Sequence, residues 1–309
     1  MLFRSVGACL IPLQEVIARE CLAPIMLSNS TDKQLPENAV STSCLPSVFQ
    51  FSDNRDSESK SLTPHGSYVV YVPDLSYAIS VQGLERFIQY REETYRWMLH
   101  ISADRHFAPD VAYTGMNYFD RYLSKRVIDT ANVELLSWCC LHLASATMST
   151  RMYYLSVKEI FQIVADTYSQ ESVLQMVNEV LSVLDFHLLP PTPYSYGVLR
   201  LQESNCINLI PRFYSIVTNI CIRYQSIGIL SSCLSRVCVL LTWSFSFPNR
   251  RWPNSISCCE SVPQKDAERV INLAREVFPM MSLSCDYVLL QLQQSKYHYQ
   301  ELRDRKSVV

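Results

Sequence analysis

At 309 residues, 48% hydrophobic and 18% charged, the chain can bury a sizeable core and fill two domains. Its net charge of −2 and pI near 6.3 supply no basic field for nucleic-acid phosphates. Its 6 glycines are too few for the phosphate turns of a doubly wound nucleotide-binding fold, so the composition favours helices.

Met1–Leu27 has an early Arg4 and scattered apolar residues, but Pro12, Gln14 and Glu15 interrupt any signal-peptide core; its few acids leave a presequence open. Ser28–Gly66 is rich in Ser, Asn, Asp, Thr and Pro, a composition that cannot offset its own ordering entropy. Residues 1–72 are therefore expected to form a mostly disordered tail. Within it, Thr63-Pro64 is a minimal proline-directed phosphorylation site and Arg19–Leu22 a minimal R-x-x-L degradation box.

From Pro73 a helical period sets in. Val81–Ile101 carries Leu84, Ile88, Tyr95, Met98 and Ile101 near one stripe, and Pro109 opens a second helix running to about Ser124. Asn132 is placed to cap Val133–Thr147, which is apolar or small on every side and so belongs at the centre of a bundle. Helices at Val157–Asp166 and Gln170–Asp185 follow, and Pro190, Pro191 and Pro193 close the unit. The pattern then repeats: Ile207–Tyr224, an almost wholly apolar Ile229–Phe245, Gln264–Phe278 and Ser284–Tyr297. Two successive units of about 100 residues, each built on one all-buried helix, define an all-α tandem repeat, with a first unit at 73–190, a second at 191–300 and a short tail at 301–309.

No stretch is long enough to span a membrane; Val237–Phe247 is too short and lies between Arg236 and Arg250. The twelve cysteines contain no C-x-x-C, and Cys139 and Cys140 point to different faces of one helix, so they read as small buried thiols of a reducing compartment rather than a metal site. The six histidines form no nucleophile–base arrangement, and no Gly-rich phosphate loop or H-E-x-x-H occurs. No catalytic residue, metal or cofactor is expected.

Asn117-Tyr118-Phe119-Asp120-Arg121-Tyr122-Leu123-Ser124 resembles the NYxDRxLS motif of the cyclin family. Arg91 and Trp97 sit where that family's first helix carries M-R-x-x-x-x-x-W. Ala165–Ser169 with Val173–Met176, then Val183–Phe186 with Pro191–Pro193, resemble the end of its first box; Arg251-Trp252-Pro253 and Ser295–His298 resemble features of the second. The resemblance runs from about Pro73 to His298. It implies tandem five-helix cyclin-fold repeats, no enzymatic activity, a cyclin-dependent protein kinase as partner, and a place in nucleus and cytoplasm.

Residue by residue it implies three sites. Arg91 and Asp120 would pair in the core, the alternative being that Arg91 snorkels to water; a lone buried charge at either position would be costly, and pairing removes most of that cost. The kinase-facing surface would comprise Leu143, Ala146, Thr147, Val177, Leu181, Phe186 and Leu188. Here the family's anchoring Lys falls on Ala146, or on Thr147 if the register shifts by one, and its anchoring Glu falls on Val177; Glu179, two residues along, faces about 200° away. A docking patch for kinase substrates would lie on Tyr90, Glu93, Thr94, Trp97, Val133 and Glu134, with an ordinary solvated helix face as the alternative. The joint loss of Lys and Glu keeps a non-activating scaffold of the same fold in view. A cyclin-like transcription factor is disfavoured by the net charge.

Overall fold

The computed structural model describes residues 71–292 apart from 149–153, 249, 254–255 and 257–261. The tail expectations up to residue 70, the Ser295–His298 feature and the 301–309 tail lie outside these residues. Among the described residues all regular structure is helical. None of their helices is long and apolar enough to cross a membrane, and among these described residues no group of three or more His, Cys, Asp or Glu could hold a metal ion.

The first repeat follows a short leading helix, α1 (Leu75–Gln82), and contains α2 (Leu84–Asp104), α3 (Pro109–Leu123), α4 (Val133–Met148), α5 (Val157–Val164) and α6 (Gln170–Val183). Gly83, at φ 79, separates α1 from α2 where the periodicity alone predicts one continuous helix. Pro109 occupies the first turn of α3. Ser156 and Glu159 form a reciprocal capping box at α5, and Ser169 accepts from the Ser172 amide to start α6.

α4 is the hub, packed by α2, α3, α5 and α6, and Leu135 through Ala144 are buried apart from His142. Its buried hydroxyl at Ser137 donates to the Val133 carbonyl one turn back, so a polar group rides in an apolar helix at little cost.

The second repeat repeats the plan with α7 (Pro193–Glu203), α8 (Ile210–Ile222), α9 (Ser231–Ser246), α10 (Gln264–Val277) and α11, described over 282–292. α9 is its hub, packed by α7, α8 and α10. The sequence reading missed α7, taking Pro190 to Pro193 only as a stop. Thr192 caps this helix by accepting from the Ser195 amide at 3.1 Å, and Pro193 sits at its first position. A proline there lacks only an amide that has no helical partner anyway, so the same residues end one unit and begin the next. Gly197 lets α7 and α8 touch: a Cβ there would lie 1.9 Å from Phe213 Cζ. Trp252 donates to Ser244 on α9 at 2.9 Å and meets the edge of Tyr287, tying a loop to α9 and α11.

The repeats are joined along α2 and α3 of the first and α7 and α8 of the second. Tyr113 stacks on Tyr194 at 5.8 Å, Tyr194 meets Phe213 and Tyr214, and the Tyr113 hydroxyl bonds Thr218 at 2.7 Å. Thr192 also donates to the Asp110 carboxylate at the start of α3. Burial pushes the Asp110 carboxyl upward against the pull of its bonds from Thr192 and Ser195.

Candidate functional site

Arg91 and Asp120 meet where α2 crosses α3. The Arg91 Nε donates to both carboxylate oxygens at 3.1 Å, with the two side chains 4% and 6% exposed. Burial drives the Asp120 carboxyl up to about 6 although the guanidinium beside it pulls the other way. The remaining guanidinium nitrogens cross to the second repeat and donate to the carbonyls of Ile222 at 2.6 Å and Cys221 at 2.9 Å, closing the C-terminus of α8. The sequence had suggested only the carboxylate half of this set.

The next residue faces another way. Arg121 is buried on α3 and donates to the carbonyls of Leu184 at 3.0 Å and His187 at 2.8 Å, just past α6. Tyr122 donates to Glu179 at 2.6 Å, and Lys125 reaches the Val183 carbonyl at 2.9 Å and Asp185 at 3.2 Å. The Glu179 excluded on the sequence as an outward anchor is thus spent on α3. None of these partners of α6 was singled out from the sequence; the clustering of Arg, Tyr and Lys at the end of α3 was the available signal.

Cys139 Sγ of α4 lies 3.9 Å from the Val173 carbonyl near the start of α6, while α3 touches Thr147 through Tyr118 and Glu179 through Tyr122. α4 and α6 therefore run the same way and end on one side of the bundle. There the predicted kinase-facing residues separate by depth. Ala146 and Phe186 are exposed, Thr147, Leu181 and Leu188 are half-buried, and Leu143 and Val177 are buried, Val177 at 7%. Thr147 bonds the Leu143 and Ala144 carbonyls behind it. Leu143 and Val177 hence serve as the floor, and the position onto which the resemblance maps the anchoring Glu is held by a buried valine.

Phe186 stands out, 71% exposed. It and Asp185 both have left-handed backbone, φ 56 and 52, a conformation costing a non-glycine residue about 1–2 kcal/mol. Such backbone persists where surrounding bonds over-determine it, and it often marks a functional turn. Beside it, Leu189 is also exposed at 57%.

The predicted substrate-docking patch does not form a surface. Tyr90, Thr94, Trp97 and Val133 are buried, and only Glu93 and Glu134 are partly open. Trp97 packs edge-on to Trp138 at 4.5 Å, Tyr90 bonds Thr130 at 2.5 Å and Thr94 faces Ser137 at 3.4 Å. The physical reason is that α4 and the turn before it cover this face of α2.

The arrangement is thus two helical repeats with hub helices, an Arg–Asp pair between crossing helices and an apolar exit turn. Residues 69–189 match the family model described as "Cyclin, N-terminal domain". Over 106 residues it is 29% identical to Cyclin-F of Danio rerio, covering 34% of this chain and 14% of that one. Over 96 residues it is 33% identical to Cyclin-A1-4 of Oryza sativa subsp. japonica, covering 31% and 26%. G2/mitotic-specific cyclin C13-1 of Daucus carota is 28% identical over 110 residues, covering 35% and 32%. The chain thus spans a third or less of the length of these curated relatives. In fold it is similar to a viral cyclin from herpesvirus saimiri, with TM-score 0.50, 14% identity, and coverage of 62% of this chain and 87% of that one.

Proposed function

We propose that this chain is a regulatory subunit that binds and activates a cyclin-dependent protein serine/threonine kinase in cell-cycle control, contributing no catalytic residue of its own, in nucleus and cytoplasm. The observation that carries the reading is Phe186: a large apolar ring held outward on a left-handed turn, beside the common end of α4 and α6. Burying such a ring in a partner is worth about 1.5–3 kcal/mol, and this ring with exposed Leu189, beside half-buried Leu181 and Leu188, makes the centre of a small apolar docking face. A cyclin-type partner biases a kinase by binding one conformation of its mobile helix better than the other.

The pair Ala146 and Val177 favours a second reading, a cyclin-fold scaffold that holds a protein without switching it, because neither residue can form the polar anchor. Affinity purification of the full chain from its native cells tests both. Co-purification of an active kinase, lost with Phe186→Asp while the variant keeps its helical content, supports the first. A kinase that co-purifies inactive supports the second, and an active kinase retained by Phe186→Asp removes this face as the docking site.

A further inference from the structure

We infer that Arg121 and Lys125 are positioning residues for the exit turn: they hold the left-handed pair Asp185–Phe186 and so set the direction in which the Phe186 ring is offered. The inference rests on the docking reading above only for what the ring is offered to.

α6 ends at Val183, and its last carbonyls lack helical partners. The chain closes part of the end by itself, with the amides of Asp185 and Phe186 returning to the carbonyls of Ser182 and Leu181, each at 3.1 Å. Three carbonyls around the turn are taken by cations at the end of α3 and just past it: Val183 by Lys125, and Leu184 and His187 by the two arms of Arg121. The last two straddle Asp185 and Phe186, so one rigid guanidinium spans the strained pair like a brace. Two cations at the C-terminus of a helix also oppose the partial negative charge there. Burial lowers the Arg121 pKa from its ordinary value, and among the described residues its guanidinium bonds go to the carbonyls of this turn and to no carboxylate. The Tyr71 ring covers the guanidinium at 5.4 Å and meets His187 edge-on at 6.5 Å, closing the brace from the other side.

A lysine at 121 keeps the charge but is a single-point donor and cannot span both carbonyls. The conservative change therefore separates bracing from charge.

The test uses the full chain with 4-fluorophenylalanine at position 186, read by fluorine NMR, in wild type, Arg121→Lys, Lys125→Met and the double variant. The expected result is a shifted and broadened resonance in Arg121→Lys, stronger in the double variant, with the helical signal retained. Affinity is read against a panel of purified cyclin-dependent kinase catalytic subunits. Any subunit bound by wild type should bind Arg121→Lys about tenfold more weakly, and Phe186→Ala in the same background should add little further loss, because the two act through one ring. An unchanged resonance in the double variant overturns the inference, as does full additivity with Phe186→Ala. Lys125→Met, altering a half-exposed side chain, keeps the test decisive if Arg121 variants do not fold: its resonance must move. If wild type binds no kinase of the panel, the docking reading fails while the resonance still decides the brace.

Discussion

Arg91 and Ile222 stand 131 positions apart and are joined by a 2.6 Å hydrogen bond from guanidinium to carbonyl. With Asp120 on its other edge, Arg91 thereby fastens α2, α3 and the end of α8 at one point. Asp120→Ala leaves that buried cation without its counter-charge and should destabilise the chain by about 3–5 kcal/mol. Replacing both with well-packed apolar residues should recover only part, since the α8 carbonyls then lose their donors. Denaturant midpoints read both, and a shift in Asp120→Ala equivalent to less than about 0.5 kcal/mol, an ordinary surface effect, would contradict the pairing.

Gly197 tests the α7–α8 contact. Gly197→Ala puts a methyl where the Phe213 ring now lies, and overpacking of this kind costs about 1–3 kcal/mol. Phe213→Leu in that background should return some of the loss. If both single changes cost the same as the double, summed, the two residues are not in contact and the packing described is wrong.

His142 gives a pH signature. Burial lowers its pKa, outweighing the bond to the Leu155 carbonyl at 2.5 Å. A histidine held below its unfolded value leaves the folded state with fewer protons, so its contribution is full above about pH 6.5, the unfolded pKa, and is lost as the pH falls through that value toward the folded one. Wild type should accordingly lose more stability between pH 8 and pH 5 than His142→Gln does, read as urea midpoints at both pH values. Parallel losses in the two proteins would assign the acid sensitivity elsewhere.

The filled anchor position predicts an asymmetry. Val177→Glu inserts a charge into packed apolar surroundings and should cost on the order of 3 kcal/mol, whereas Ala146→Lys, on the surface, should stay within about 0.5 kcal/mol. Binding of the proposed kinase partner should also be nearly indifferent to salt, moving less than about threefold between 0.1 and 1 M, a range over which the screening length falls from about 10 to 3 Å. A steep salt dependence would place an ion pair at the interface.

Much of this arrangement is written locally. The hubs announce themselves, because a helix with no polar side has nowhere to go but the centre, and a lone Arg and Asp among apolar neighbours demand each other. What depends on distant covering is not written locally. The burial of Tyr90 and Trp97 is decided by α4 and the turn before it, which a period along α2 does not reveal. The partners of Arg121 lie more than 60 positions away, and only the assembled fold brings them in. Pro193 was misread for a different reason: a proline that stops one helix is indistinguishable, in isolation, from one that starts the next.

The two carbonyls that Arg91 borrows from α8 make the repeats poor candidates for separate inheritance. Either half grafted onto another protein would carry a buried charge or an open helix end that its new neighbour must have been shaped to meet. Thermal unfolding of the intact chain is accordingly expected as one cooperative event rather than two, and variation in the second half can drift widely in side chains while the backbone ending α8 stays in place, since it is main-chain oxygen, not residue identity, that the first half requires.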